Sequence, residues 1–265
     1  MALLVASAAA SDADDTAASG QAQEGAQPGA APSSPDSGPD SGTASNDVPA
    51  PVLPRRMKGR AAANALGGRL ASVAARNDLS GARLERLLSE DKTAWLSREG
   101  QLFYQEEVPA ETGGTGSGTA PEAAYATSQT FALHSRPGAA RTIFLDFDGA
   151  AVSNTGWNVG TNAIENGTHI GWDSDGSPGS FSSAEHDWIQ EVWRQVAETY
   201  APFDVDVTTE DAGPDGYTRS TSSDSTYGTR VVVTSSPTAV QQACSGSCLG
   251  VAWVGTFNAV DPNRY

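Results

Sequence analysis

Aromatic and basic residues are distributed very unevenly along this chain of 265 residues. All 19 Phe, Trp and Tyr residues lie at or after Trp95, and the first basic residue is Arg55. Residues 1–54 contain seven acidic residues and seven prolines, but no aromatic ring and no base. A segment of this composition cannot bury enough apolar surface to offset the entropy it would lose on ordering. The part of the chain that can fold is therefore about 210 residues long.

The first ten residues resemble the late half of a secretory signal peptide. A short apolar stretch is followed by small residues with an A-x-A pattern at Ala6-Ser7-Ala8. The positively charged n-region is missing, so the alternative is an ordinary Ala-rich, disordered N-terminus. We interpret residues 1–10 as a signal-peptide remnant and expect a secreted, extracellular protein. Residues 11–54, which are rich in Ala, Ser, Gly, Pro and Asp, are predicted to be a disordered linker.

Residues 55–110 differ in composition from the preceding segment, because they contain basic and aromatic residues. They are predicted to form a small α+β unit. Segment 84–88 places three leucines on one helical face, and Ser80 is a candidate N-cap. Segment 95–104 has apolar residues on both sides of a turn and is typical of a hairpin. The basic residues at 55–60 indicate either a processing site or the solvated start of a helix. We interpret the unit as a pro-region, with a small exported adaptor module as the alternative.

A Gly/Thr/Ala-rich linker at 111–130 precedes the main domain, which spans residues 131–265. Exposed linkers of this composition are favoured sites of proteolytic cleavage. The main domain has one long amphipathic helix, which Pro202 stops, and four strands. We therefore predict an α/β (α+β) fold with a mixed sheet and one long helix. The expected elements are strand 142–147, helix 183–200, and strands 203–207, 230–234 and 250–255.

The charge of the chain excludes one class of partner. The net charge is −16, and no basic patch is present that would displace counterions from phosphate. Nucleic acid is therefore not an expected partner. No apolar run approaches the roughly 20 residues of a membrane span, so we expect no membrane segment in the mature form. A monomer that acts on a protein or peptide substrate is the expectation.

Two cysteines, Cys244 and Cys248, lie in a C-x₃-C pattern. In an exported protein such a pair most simply forms a disulfide that shapes a loop. A zinc site is the alternative, but it would need further Cys or His ligands nearby. The three histidines, His134, His169 and His186, do not lie in an H-E-x-x-H motif, and none is assigned as a zinc ligand.

Two D-x-D-G motifs are candidates for chemistry: Asp146-x-Asp148 and Asp173-x-Asp175. Paired carboxylates before a sharp glycine turn suit calcium, and we predict a calcium site at Asp173 and Asp175. The alternative is a polar turn in which Asp accepts backbone N–H groups. Asp146 and Asp148 at the end of an apolar strand also resemble the opening motif of haloacid-dehalogenase-type phosphatases. That resemblance would imply Asp146 as nucleophile and Asp148 as general acid.

A more extensive resemblance covers most of the chain from about residue 75. The most specific part is Tyr-Ala-Pro-Phe-Asp-Val-Asp-Val-Thr-Thr at 200–209. Together with the other segments, it resembles secreted bacterial zinc metalloproteases of the metzincin type, and the region before residue 110 resembles their pro-region. The segments that carry the resemblance are 133–138, 143–149, 173–176, 181–182, 191–193, 196–198, 200–209 and 250–255.

The resemblance implies a zinc endopeptidase whose zinc helix carries H-E-x-x-H-x-x-G-x-x-H. That motif is absent here, so the zinc ligands are expected beyond Tyr265, and the chain looks like the front half of the enzyme with no catalytic residue of its own. The same resemblance implies that Val251, Ala252 and Trp253 lie on an edge strand that pairs with extended substrate. On these grounds the chain alone is expected to be inactive. An exported, non-catalytic binding module is the remaining alternative.

Overall fold

A computed structural model describes residues 50–108, 125–153, 155–160, 163–213, 216–246 and 248–260, together with the backbone of residues 3–8. Most of the predicted disordered linker 11–54 and the Gly-rich part of linker 111–130 lie outside these ranges. Within them, no helix combines the length and apolar character needed to cross a bilayer. We call residues 50–108 the N-terminal unit and the described residues from 125 onward the main domain.

One mixed sheet of eight strands extends through both parts. The strands of the structure are β1 (Leu3–Ala8), β2 (Met57–Lys58), β3 (Ala94–Leu96), β4 (Leu102–Glu106), β5 (Arg141–Asp146), β6 (Gly149–Val152), β7 (Gly167–Ile170), β8 (Asp206–Thr208), β9 (Tyr227–Thr234) and β10 (Gly250–Val254). The order in the sheet is β2-β3-β4-β10-β1-β9-β5-β8, and β6 and β7 form a separate hairpin. β5 pairs in parallel with β8 and with β9, whereas β4 pairs antiparallel with both β3 and β10. The prediction of a mixed α and β fold is confirmed.

Within the described ranges, five α-helices pack against this sheet. They are α1 (Gly59–Leu66), α2 (Leu70–Arg76), α3 (Gly81–Glu90), α4 (Ser183–Tyr200) and α5 (Pro237–Cys244). The long helix α4 has the predicted bounds. Its N-cap is Ser182, whose side chain accepts from the Glu185 amide. The Glu185 side chain accepts in turn from the Ser182 amide, and the two hydrogen bonds form a capping box.

The main domain is organised by β5, whose side chains alternate between the two faces of the sheet. Ile143 and Leu145 point toward α4 and pack in one cluster with Ile189 and Trp193. Phe144 lies on the opposite face, where its ring stacks on Tyr217 at a centroid distance of 5.5 Å. Because β5 is covered on both faces, its sequence is apolar without a clean polar alternation.

The N-terminal unit has a core of its own, built from α1, α2, α3 and the β3–β4 hairpin. The hairpin has the predicted position, and Ser80 caps α3 by accepting from the Arg83 amide at 3.2 Å. Buried Asn77, 2% exposed, joins helix and hairpin. Its side chain donates to Val73 O and Gly100 O, both at 2.8 Å, and accepts from the Leu102 amide at 2.7 Å.

The segment predicted to be a signal-peptide remnant contributes a strand. β1 lies between β9 and β10, antiparallel to the former and parallel to the latter. In this register Leu4 lies opposite both Val233 and Gly250. Cleavage after the A-x-A pattern would remove this strand from the sheet and leave one side of β9 and one side of β10 without backbone partners.

A second layer covers the face of the sheet opposite α4. It consists of the β6–β7 hairpin, α5 and the loop after α5, and its core joins Trp157 and Val232 with residues of β10 and β4. Cys244 and Cys248 form a disulfide in this layer, with their Cα atoms 5.6 Å apart. The predicted pairing of the two cysteines is therefore present in the structure, and it closes the loop that leads into β10.

We expect Asn77→Ala to lower the free energy of unfolding by about 3 kcal/mol. The substitution removes three hydrogen bonds and leaves the Leu102 amide unsatisfied in the core, and each such loss costs about 1 kcal/mol or more. Urea denaturation followed by circular dichroism measures the change. The matched control is Asn64→Ala on α1, because Asn64 is exposed. Equal stability of the two variants would contradict the role given to Asn77.

Candidate functional site

The strand that the sequence predicts for substrate binding, β10, is the outermost strand of the main domain on its side of the sheet. Its outer edge is covered by β4 of the N-terminal unit, so in the whole chain it is not a free edge. Ala252 pairs with Tyr104, and Trp253 pairs with Phe103. The Leu249 amide extends the ladder by donating to Glu106 O at 2.8 Å. From Gly250 to Trp253, β10 therefore pairs with an antiparallel segment.

An aromatic cluster lies beside this pairing, on the face covered by α5 and the disulfide loop. The Phe103 ring is fully buried and meets Trp253 edge-on at 5.3 Å. Trp157 contacts Trp253 from the other side at 5.5 Å, and Trp95 stacks on Phe103 at 6.3 Å. Val251 and Cys248 complete the lining. The cluster forms a site for one aromatic side chain, which Phe103 fills.

The N-terminal unit also contacts the main domain through Arg56. Its guanidinium donates to Ala243 O at 3.2 Å and to Cys244 O, which are carbonyl groups at the end of α5. A cation at a helix C-terminus satisfies free carbonyls and interacts favourably with the helix dipole. Arg56 and Lys58 also lie over the ring of Trp95, at 5.2 and 4.7 Å. These contacts give the start of the basic 55–60 cluster a structural role.

The predicted calcium residues lie in a turn that α4 supports. Asp173 Oδ1 accepts from the amides of Asp175, Gly176 and Ser177 at 2.8–3.1 Å. Glu185, which is 1% exposed, is the third member of the acidic group. These hydrogen bonds are those expected of a polar turn, the alternative weighed for this motif. The calcium site at Asp173 and Asp175 stays a prediction, and Glu185 is the further carboxylate that would join it.

Glu185 connects this turn to the start of α4. One carboxylate oxygen accepts from the Ser174 amide and hydroxyl at 2.8 and 3.0 Å, and the other accepts from the same groups of Ser182 at the same distances. Burial alone would raise the pKa of Glu185, but the four hydrogen bonds outweigh it and lower that pKa. The S-x-x-E pattern at 182–185 is the sequence signal for this capping role.

The other acidic pair is divided between the interior and the surface. Asp146 has no exposed surface, and its Oδ2 receives the Arg230 guanidinium with Nε at 2.6 Å, whereas Asp148 is exposed. Burial raises the pKa of Asp146; Arg230 opposes this and Asp148 reinforces it, so that the pKa rises to about 7. A nucleophile must reach its substrate, and Asp146 is enclosed. This geometry disfavours the phosphatase interpretation.

The three histidines lie in three separate environments. His134 lies between Asp206 and Glu210, with 2.7 Å from each ring nitrogen to a carboxylate oxygen. Burial would lower the pKa of His134, but these two partners raise it. His169 is buried near Ser236, and the half-buried ring of His186 contacts the rings of Phe131 and Phe181.

No protein-family model, curated protein or solved structure matches this chain. The resemblance to metzincin-type proteases therefore depends on the sequence motifs between residues 133 and 255. The structure brings Val251, Ala252 and Trp253 together on one strand, as predicted. Sequence reasoning did not identify Phe103 and Arg56 as partners of that strand and its loop, because both contacts are made across more than a hundred residues of sequence.

The raised pKa of Asp146 predicts that the free energy of unfolding depends on pH. The folded protein holds this proton up to about pH 7, whereas the unfolded chain releases it near pH 3.8. Since the folded state binds more protons in this window, the free energy of unfolding should fall as pH rises from about 4 to about 7 and then level off. At 1.36 kcal/mol per pKa unit the loss is at most about 4 kcal/mol. Urea titrations across this range measure it.

Asp146→Asn should remove this slope, because the variant has no proton to release. Asp148→Asn is the companion variant. It removes a carboxyl that raises the folded-state pKa of Asp146, so the fall in stability should be smaller and should level off at a lower pH. Comparing each variant with the parent protein at every pH cancels contributions from His134. An unchanged slope in Asp146→Asn would exclude Asp146 as its source.

We expect Glu185→Gln to destabilise the protein by about 2 kcal/mol near neutral pH. The substitution replaces one carboxylate oxygen by an NH2 group, which cannot accept the two hydrogen bonds that this oxygen receives. The lowered pKa gives the opposite sign from Asp146: the stabilisation is present above pH 4.5 and is lost as pH falls through the folded-state pKa. Glu198→Gln, at the exposed end of the same helix, is the control and should change stability little. Thermal denaturation at pH 7 and at pH 3 distinguishes the two.

Proposed function

We propose that this chain is the front part of an exported zinc endopeptidase of the metzincin type, in which β10 binds the backbone of an extended substrate. One observation carries the proposal: β10 pairs along its outer edge with an antiparallel strand, β4. Strand addition of this kind provides affinity through main-chain hydrogen bonds, and side-chain sites along the strand provide selectivity. The motif at 200–209 supports the family, since it leads into β8 beside β5 in a sheet backed by α4.

The residues described here do not fit a zinc site. Zinc prefers nitrogen and sulfur ligands in a tetrahedral set. Both cysteines are joined in a disulfide, and the three histidines lie in the separate environments given above. The acidic group at 173–185 offers only carboxylates. By resemblance the zinc ligands belong to a segment on the C-terminal side of β10, and no catalytic step is assigned to the described residues.

What this chain supplies in the proposed enzyme is orientation of the substrate. An extended peptide bound to β10 is held straight, with alternate side chains directed to opposite faces of the sheet. The residue opposite Trp253 enters the aromatic cluster. The disulfide between Cys244 and Cys248 fixes the loop that leads into the strand, so the strand is held in place before the substrate arrives.

The test is to express the reading frame through the residues that follow Tyr265 and to assay casein cleavage with and without 1,10-phenanthroline. Chelator-sensitive cleavage is expected, while residues 1–265 with added zinc should be inactive. A reading frame that encodes no H-E-x-x-H, or a longer product without chelator-sensitive activity, would contradict the endopeptidase and favour the exported binding module. Cleavage by residues 1–265 alone would contradict our placement of the zinc ligands.

A further inference from the structure

We propose that His134 is a proton-dependent bridge that holds residues 130–136 on the outer edge of β8, and that loss of its proton lets this segment open more often. We call residues 130–136 the strap. The strap follows the predicted cleavable linker, so its opening sets how far proteolysis of the linker extends into the main domain. Because the strap lies on β8 and not on β10, its behaviour does not depend on the proposed endopeptidase.

The strap covers a strand that would otherwise be an open sheet edge. β8 is the last strand on its side of the sheet, with β5 as its inner neighbour. On the outer side, the Ser135 amide donates to Val207 O at 3.0 Å, and the Thr209 amide donates to Leu133 O at 3.1 Å. An uncovered strand edge is a surface on which other chains associate. Opening of the strap therefore exposes backbone groups of β8 as well as its own.

The His134 ring bridges two carboxylates of the β8 side. Nδ1 lies 2.7 Å from Asp206 Oδ2, and Nε2 lies 2.7 Å from Glu210 Oε2. An ionised carboxylate only accepts, so both contacts are hydrogen bonds only when both ring nitrogens carry a proton. That form is the charged imidazolium, whereas the neutral ring donates a single hydrogen bond. The bridge is therefore complete only while His134 is protonated.

The charges around the ring favour its protonated form. Among the described residues, Asp206 and Glu210 are the charged groups in contact with the ring. The nearby cation on the strap, Arg136, pairs with exposed Asp204 at 3.3 Å, and its backbone amide donates to Asp206 Oδ1 at 2.9 Å. Burial of the ring would lower the pKa of His134, but the two carboxylates outweigh it and raise that pKa above its ordinary value of 6.5.

Raising the pH should weaken the bridge. The folded state binds the proton of His134 more tightly than the unfolded state does. The stabilisation is therefore fully present below about pH 6.5 and is lost as the pH rises through the folded-state pKa. The strap keeps its backbone hydrogen bonds and buried Leu133, which is 4% exposed. We therefore expect more frequent local opening and not unfolding of the domain.

The bridge also gives a shared role to two sequence segments that function has not otherwise used. Segment 133–138 supplies His134, and segment 200–209 supplies Asp206. The two residues are 72 positions apart in the sequence. Their contact therefore needs the strap and β8 to be placed side by side by the fold.

The first measurement is an NMR titration of the full chain with isotope-labelled histidine, from pH 5 to pH 8.5. The chain has three histidines, and the signal missing from His134→Gln belongs to His134. We expect this ring to titrate above pH 6.5. If His134→Gln does not fold, the ring signal that moves in Glu210→Gln identifies His134, and the titration is still read on the unmodified chain.

The second measurement is quench-flow hydrogen exchange of peptides that cover the strap. At pH 6 these peptides should exchange about tenfold faster in His134→Gln than in the parent protein, the effect of losing one charge-assisted hydrogen bond. At pH 8.5 the two should agree within about twofold, because neutral imidazole and the Gln amide each donate one hydrogen bond to the carboxylates. Comparing the proteins at the same pH cancels the pH dependence of the exchange chemistry.

Two further variants separate the bridge from the other contacts of the strap. Glu210→Gln removes one carboxylate that raises the pKa of His134, so the strap should loosen at a lower pH. Asp204→Asn is the matched control, because Asp204 contacts the strap through Arg136 and not through the ring. It should leave the pH at which the strap loosens unchanged.

The third measurement is limited proteolysis at pH 6 and pH 8.5. The ratio of cleavage within the strap to cleavage within residues 111–124 should follow the exchange rates, and it cancels the pH dependence of the protease. Three results would overturn the inference: a pKa of His134 at or below 6.5, equal exchange of the strap in His134→Gln and the parent protein at pH 6, or a shift in Asp204→Asn as large as in Glu210→Gln.

Discussion

The pairing of β4 with β10 is the interaction on which the rest of the structure depends, because it joins two small units into one sheet. Each unit completes its core with a residue from the other. Val254 of β10 packs in the core of the N-terminal unit, and Phe103 of β4 packs in the core above β10. A unit of about 55 residues is marginal in stability when alone. Shared cores of this kind therefore stabilise both parts while the pairing lasts.

Most of the polar residues that suggest chemistry hold loops to strands and helices in this structure. Glu185 fixes the acidic turn to the start of α4, and His134 connects the segment after Leu133 to β8 through Asp206. Arg230 pairs with the buried carboxyl of Asp146 and partly offsets the effect of burial on its pKa. What remains for function in the described residues is backbone on β10 and an aromatic site beside it. A strand backbone with an aromatic site beside it is suited to recognising an extended chain.

Local patterns predicted the elements that carry their own signals. Helix α4 has apolar residues at helical spacing, a capping box at Ser182 and a stop at Pro202, and its bounds were predicted correctly. Helix α5 and the β6–β7 hairpin were not predicted, because they are short and owe their stability to packing on the sheet rather than to periodicity. The aromatic site could not be predicted either. Strand alternation identifies 102–106 as a strand but holds no information on which distant strand it pairs with.

The position of β1 has a consequence for the order in which the fold forms. β1 pairs with β9 and β10, so residues 3–8 find both partners only after nearly the whole sequence is in place. Contacts across such separations close slowly, because the loop entropy must be lost before the contact is gained. Until then the facing sides of β9 and β10 are unpaired strand edges, the kind of surface on which chains associate with each other. The segment at the start of the sequence is thus expected to be the last to enter the sheet.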